Sequence, residues 1–467
     1  MKRHGWPLPL LCALVVLVLA AAAGPARADA PDAATRSGPD AGRAAGIRPA
    51  QTASQARVFL PIVRRDTPDF ADGRFRARSV APGLLHTCAV DLDGALWCWG
   101  LNLHGALGVG SDDVTLRSSW PRQVTGFGEA LSSVATTAWG SCALTASGGV
   151  WCWGDNRCGQ LGEGGQAAHC DSRPPSPAPL PVHGLPGPVR ALALGLNHAC
   201  ALTESGAVWC WGRSSKNYDM RPTPYAVAGL ESGVMSISAG AYHNCALLAS
   251  GAAKCWGWFK YGGLEGSETP TSPPGWETGV QQVAEGASHV CALRTNGAVE
   301  CFGENDQGQL GLDSTVWPIP DPRTVLGLPA GVKAITAGGA VTCALLADGA
   351  LWCWGWNESG QLGVGRRDLE PQPRPQRVEG LAGPGIEAMT SWASPDLRSC
   401  SEDAPCDNDW GHTCARLADG RLQCWGANHS GQLGDGSFLS RPLPGDVREE
   451  PSGQSGGGSR LGMAWRP

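Results

Sequence analysis

The chain has 467 residues, including 66 Gly, 36 Pro, 20 Trp and 19 Cys, with a formal net charge of −6. That length exceeds what one ordinary core holds unless the chain is a repeat array, and the turn-rich composition suits many short strands. An acidic chain with no basic block argues against nucleic acid or anionic membrane as a partner.

Residues 1–28 read as a secretory signal peptide, with basic Lys2 and Arg3, an apolar run from Leu8 to Ala23, and a small-x-small site at Ala26-Arg27-Ala28. The run is short of the roughly 20 residues a membrane span needs, and no later segment is long enough. The leader carries three cations (Lys2, Arg3, Arg27) and no acid, so its removal takes the charge from −6 to about −9, and it takes Cys12 with it. Residues 29–70 read as a disordered Ala/Pro-rich linker. Residues 71–450 carry the repeats, and 451–467 read as a flexible Gly/Ser tail.

Seven times two cysteines stand ten residues apart around a turn glycine: Cys88 with Cys98, Cys142 with Cys152, Cys200 with Cys210, Cys245 with Cys255, Cys291 with Cys301, Cys343 with Cys353, and Cys414 with Cys424. A three-residue loop with a left-handed glycine, such as Leu92-Asp93-Gly94, sets Cys88 opposite Cys98, Ala89 opposite Trp97 and Val90 opposite Leu96. The cysteines then occupy a non-hydrogen-bonded site, where opposing Cα atoms come within about 4.5 Å. Zinc would want tighter ligand spacings, and the turn glycine argues against paired helices. Cys158, Cys170, Cys400 and Cys406 leave two further pairs, an even count that suits an oxidising compartment.

Each unit reads as about four strands: an alternating lead-in such as Val332 to Gly338, the hairpin, a loop, and a proline-bearing strand such as Pro375 to Val378. The loop text Asn-x-x-Gly-Gln-Leu-Gly stands at Asn305 to Gly311, Asn357 to Gly363 and Asn428 to Gly434. Asn156 to Gly162 matches with Cys158 inserted, and Asn102 to Gly108 has Ala106 in place of Gln. The third unit loses the motif and the fourth keeps only Gly262-Gly-Leu264. With Ala-x-Gly-x-x-His before the first cysteine, this pattern resembles the regulator of chromosome condensation (RCC1) repeat, in the manner of a secreted bacterial-type member. The resemblance implies an all-β, seven-bladed β-propeller. Stacking blades into a closed ring buries faces that single blades cannot. The first hairpin lead-in, Phe75 to Gly83, lacks a preceding Pro-x-x-Val strand, and Arg441 to Val447 stands unmatched at the other end. The two terminal segments are therefore expected to share one blade.

Five histidines (His86, His198, His243, His289, His412) precede the first cysteine by two residues and read as blade structure rather than a metal ring. The Trp after each second cysteine, Phe302 excepted, reads as filling between blades. Two departures attract functional interest. One is the insertion from Trp392 to Trp410, with Glu402, Asp403, Asp407 and Asp409 around Cys400 and Cys406. The other is the loop closed by Cys158 and Cys170, with Glu163 and His169. Such stapled loops either bind a partner with little loss of entropy or simply resist proteases. No nucleophile, phosphate loop or cofactor motif stands out, so no enzyme activity, metal or cofactor is expected. The expected role is a monomeric, extracellular protein-binding scaffold with no membrane span. The alternative is a carbohydrate- or cell-wall-binding module using Trp258, Trp356 and Trp392. Guanine-nucleotide exchange, the activity of the family's namesake, fits an exported chain poorly.

Overall fold

A computed structural model describes residues 72–451, apart from 166–169, 171–172, 214–219, 259–266, 382–385 and 393–410. Blade 1 sets the pattern. Strands β1 (Ala77–Pro82), β2 (His86–Asp91), β3 (Leu96–Leu101) and β4 (Arg117–Val124) form one antiparallel sheet in sequence order. Five further sheets repeat it. Blade 4 has three strands; its third strand meets the following chain through the bridge Cys255↔Thr271 and the bonds from Ala253 N to Trp276 O (2.9 Å) and Gly257 N to Ser267 O (2.7 Å). The inner strands pack side by side around the axis, and that of blade 7 (Ile386–Trp392) returns to β1, closing the ring.

The hairpin register is as the spacing predicts. Cys88 faces Cys98, Ala89 faces Trp97 and Val90 faces Leu96. The same pairing recurs in blades 2 to 7, where Cys142 faces Cys152, Cys200 faces Cys210, Cys245 faces Cys255, Cys291 faces Cys301, Cys343 faces Cys353 and Cys414 faces Cys424. All seven pairs are disulfide-bonded with Cα atoms 4.0–4.1 Å apart. That is closer than the 4.5 Å approach of an ordinary non-hydrogen-bonded pair, because the bridge draws the two strands together. Gly94 turns the chain at φ 91°, a value a side chain resists. Cys158 and Cys170 are also bonded; Cys400 and Cys406 lie outside the described residues.

The loop motif explains how blades hold one another. In blade 7, Asn428 Oδ1 accepts from Leu433 N (2.9 Å) and Gln432 Oε1 from Ser430 N (2.9 Å). Those bonds present the Gln432 carbonyl to blade 1. There it accepts from Trp99 Nε1 (2.9 Å) and from Thr87 Oγ1 (2.8 Å). Thr87 in turn lies 2.6 Å from His412 Nε2. Because the Thr87 proton goes to the carbonyl, His412 is the donor in that contact. The same arrangement joins blade 5 to blade 6 through Gln309, Trp354, Thr342 and His289. At the blade 1/2 joint the carbonyl of Ala106 does the work, accepting from Trp153 Nε1 at 2.9 Å. Only a backbone oxygen is required, so the loss of Gln there is tolerated. All five histidines are buried, and burial lowers their pKa to about 4 (His86, His198) or about 3 (His243, His289, His412).

Blade 4 is the exception on both sides. Blade 3 lacks the loop motif, and Trp256 Nε1 is buried without a hydrogen bond. Blade 4 lacks it too, and blade 5 carries Phe302, which has no N–H to satisfy. Val290 of blade 5 stands where blades 1, 2, 4 and 6 place Thr87, Ser141, Asn244 and Thr342.

The expectation that the terminal segments share a blade is corrected. Blade 1 is complete from β1 to β4, and Arg441–Asp446 is the outer strand of blade 7. The ends instead rebuild a linker. Phe75 N donates to Val447 O (3.0 Å), Ala77 N to Gly420 O (2.8 Å), and Arg74 bridges Arg448. Phe75 packs edge-on against Trp97 and Trp99, as Phe127 of the linker after blade 1 packs against Trp151 and Trp153.

Candidate binding face

The two faces of the disc differ in origin. One holds the hairpin turns and the linkers between blades. The other, the turn face, holds the turns from inner to second strand and the loops from third to outer strand. On the turn face each blade contributes two residues tied by a backbone bond of 2.8–3.1 Å. The seven pairs are Leu85 with Leu101, Trp139 with Asp155, Asn197 with Arg213, Tyr242 with Trp258, Ser288 with Glu304, Ala340 with Trp356, and Gly411 with Ala427. The backbone geometry is constant while the side chains run from Gly to Trp and from Asp to Arg. Hairpin positions beside them scarcely change. Loops held on a rigid scaffold are where binding specificity resides.

Two sectors carry distinct chemistry. In the first, His104 of blade 1 meets Trp139 of blade 2 edge-on, with ring centroids 6.3 Å apart. The Asp155 carboxylate is buried and accepts from Arg157 N (3.1 Å) and Nε (3.0 Å), which leaves the guanidinium near the surface. Burial holds the His104 imidazole below its usual pKa, against the opposing pull of Asp155. In the second, Tyr242 and Trp258 lie 5.3 Å apart and are both part-exposed. Trp356, expected as an exposed sugar platform, is instead 4% exposed and packs in the core beneath the face.

The rim of this face is apolar. Val114, Val316, Trp317, Leu369, Phe438 and Leu439 all stand in, or just after, the loops leading to outer strands; they are six of the eight exposed large hydrophobics among the described residues. They follow the asparagine of the loop motif by ten to twelve residues, with Val114, Trp317 and Leu369 all at twelve, so the motif itself marks their place in the sequence.

The chain leaves the described structure at Arg213, Trp258 and Trp392 and returns at Met220, Ser267 and Gly411, each time on the turn face. Trp392 pairs with His412, so the two described ends of the long insertion stand opposite each other. Its residues Glu402, Asp403, Asp407, Asp409 and Trp410 lie outside the described residues, as does His169. Glu163 is described, and it binds Arg173 (2.6 Å) and Asn156 (2.7 Å), bracing the loop closed by Cys158–Cys170. Among the described residues one cluster has metal-ligand composition, Cys245, Cys255 and Glu285, but its two sulfurs are bonded to each other and offer no thiolate. No helix among the described residues is long and apolar enough to cross a membrane.

Comparison with known proteins agrees with this architecture. The RCC1-like domain profile matches residues 50–394, and the regulator of chromosome condensation (RCC1) repeat matches residues 410–432. The Ultraviolet-B receptor UVR8 of Arabidopsis thaliana is 30% identical over 381 residues, covering 79% of this chain and 69% of that protein. The E3 ubiquitin-protein ligase HERC2 of Homo sapiens is 32% identical over 139 residues, which is 30% of this chain and 3% of that protein's length. Prp20p from Saccharomyces cerevisiae, described with its binding to Gsp1p and histones, shares the fold with a TM-score of 0.63 at 20% identity, over 81% of this chain and 89% of that one. Family profile, repeat count and blade topology coincide: the chain belongs to the RCC1-like domain family.

Proposed function

We propose that the protein is an exported, non-enzymatic binding propeller, a secreted bacterial-type member of its family, that receives a protein partner on the turn face as a monomer. One contrast carries this reading. The positions that build blades repeat sevenfold, whereas the fourteen ring positions on one face vary in size and charge. The exposed apolar residues of the loops to the outer strands, and the described ends of the inserted loops, lie on that same face. Eight disulfides among the described residues support an oxidising compartment. RCC1-like propellers often serve protein recognition, but the partners of relatives do not transfer with the fold.

A carbohydrate reading draws on one observation, the part-exposed Tyr242–Trp258 pair, which offers a sugar an aromatic platform. The two readings separate in parallel assays of the full chain: cross-linking capture from an extracellular fraction, and a glycan array. Specific protein capture that falls with Trp139→Ala or Arg157→Ala supports the protein-binding role. Glycan binding alone, lost on Trp258→Ala or Trp392→Ala, overturns it.

A further inference from the structure

Glu285 ends the inner strand of blade 5, is 4% exposed, and has no hydrogen-bond partner for either carboxyl oxygen. The nearby Gly240 N–H is given to His243 O (2.9 Å) and only partly offsets the burial of the acid. The Glu285 carboxyl lies within 4.8 Å of both sulfurs of Cys245–Cys255 in blade 4. The same register position carries Pro82, Thr136, Leu194, Ala239, Ala337 and Ser391 in the other blades, none of them acidic. Two other hairpin disulfides receive a milder polar neighbour from the next blade. Ser141 Oγ lies 3.6 Å from Cys88 Sγ, and Asn244 Oδ1 lies 3.4 Å from Cys200 Sγ. Val290 stands in that place over Cys245–Cys255, and a carboxylic acid enters from the adjacent position. Burial pushes the Glu285 carboxyl well above the usual range, so it keeps its proton where ordinary carboxylates lose theirs.

Opening a disulfide expels a thiolate, and the expulsion is faster when the leaving sulfur is stabilised. A neutral carboxyl beside both sulfurs supplies that stabilisation by giving its proton to whichever one leaves. The joint beside it also carries fewer polar ties than the motif-bearing joints. The sulfurs are buried, so a thiol must enter by local opening of a joint. The blade 4/5 joint has Phe302 and Val290 in place of the Trp and hydroxyl donors, and no motif loop to receive them.

We propose that Cys245–Cys255 is a redox-active site, cleaved by low-molecular-weight thiols with Glu285 as proton donor. The reductant thiolate attacks one sulfur and forms a mixed disulfide. The Cys–Cys bond breaks, its electron pair goes to the other sulfur, and that sulfur takes the Glu285 proton. A second reductant thiolate attacks the mixed disulfide and releases the oxidised reductant and the remaining cysteine thiolate. That thiolate and the Glu285 carboxylate regain protons from water. Two thiols are oxidised to one disulfide, and the cysteine pair gains two electrons. This chemistry stands apart from the binding role and does not need it.

The test uses the full oxidised chain, reduced glutathione as the probe, acid quenching, alkylation and peptide mapping of all seven hairpins between pH 6.5 and 8.5. Cys245–Cys255 should open about tenfold faster than the other six, with a rate that climbs with the glutathione thiolate fraction for as long as Glu285 keeps its proton and flattens where it loses it. In Glu285→Gln that rate should fall about tenfold and follow the glutathione thiolate fraction over the whole range without flattening, and Glu285→Asp should recover part of it. Glu285→Ala, which leaves more room for the thiol than Gln does, should also be slow. Equal opening of all seven hairpins overturns the proposal. So does a Gln variant that keeps the native rate and pH profile, or an Ala variant that opens faster.

Discussion

No peptide bond joins blade 7 to blade 1 among the described residues, yet that joint carries the full set of loop-motif contacts. Trp99 and Thr87 share the Gln432 carbonyl, His412 donates to Thr87, Gly436 N donates to Ser119 O (2.9 Å), and Arg74 pairs with Asp446 (2.9 Å). Blade 4 is tied to both neighbours by continuous chain and lacks most of these contacts. Its Trp256 N–H is orphaned, and blade 5 answers it with Phe302 and Val290. Bonding therefore follows the loop motif of the preceding blade, not chain connectivity. Connectivity limits how far neighbours can separate, so a tethered joint survives with fewer contacts. An untethered joint must be held by contacts alone.

The largest effect should come from breaking the untethered side. Deleting residues 441–450 removes the outer strand of blade 7, fully buried Val447, and Asp446 with its ion pair to Arg74. The thermal midpoint should fall by more than about 10 °C, with loss of a single cooperative transition. A truncated chain that melts like the full one would show that the tether, not the contacts, holds the ring.

The hairpins were legible because their information is local: ten-residue spacing and a turn glycine fix register without any distant partner. Blade phase was not. A cyclic repeat reads the same from any starting strand, so Arg441–Asp446 looked like the missing piece of the first unit when it completes the last. The weak joints had a visible signal, since the motif fails in units three and four and Phe302 replaces Trp one unit after the second failure. Its meaning needed the structure, because nothing in the text says that a loop in one unit serves a tryptophan in the next. The turn-face ring was harder still. Its positions show as variation between fixed neighbours, and only the folded ring brings fourteen of them to one face.

Acid should load every joint that contains histidine. The five buried imidazoles have folded pKa values of about 3 to 4, below the 6.5 of an exposed histidine. The unfolded chain therefore takes up protons first as pH falls. Stability is fully present above about pH 6.5 and is lost as pH drops toward the folded values. At pH 5 each histidine costs about 2 kcal/mol, and five together approach the whole stability of a typical domain. Tryptophan fluorescence should show cooperative unfolding near pH 5. A chain that stays folded at pH 4 would contradict this.

Glu285 has the opposite sign. Its folded pKa is raised, so its contribution is intact below the unfolded value of 4.5 and is lost as pH rises toward the folded one. Glu285→Gln cannot ionise and escapes that loss. The variant should be more stable than the native chain at pH 8. Its advantage should shrink by up to about 1.4 kcal/mol per pH unit on the way down, within the window set by the two pKa values. Chemical denaturation at several pH values above 6 measures the difference; a constant or reversed difference would mean that Glu285 is ionised in the fold.

The finest comparison substitutes the same residue on the two sides of the ring. Trp99→Phe removes an indole N–H that donates to a buried carbonyl across the untethered joint. Thr87 still occupies one lone pair of Gln432 O, so the expected cost is about 1–2 kcal/mol, the lost bond plus a small void. Trp256→Phe removes an N–H that is already buried without an acceptor. The void is the same, but the desolvation penalty of the orphan disappears with it, and the net change should lie within about 1 kcal/mol of zero. Blade 5, with Phe302 packed at 5.4 Å from Trp276, shows that the site accepts a phenyl ring. Equal destabilisation by the two substitutions would mean that packing, not the shared carbonyl, sets the strength of each joint.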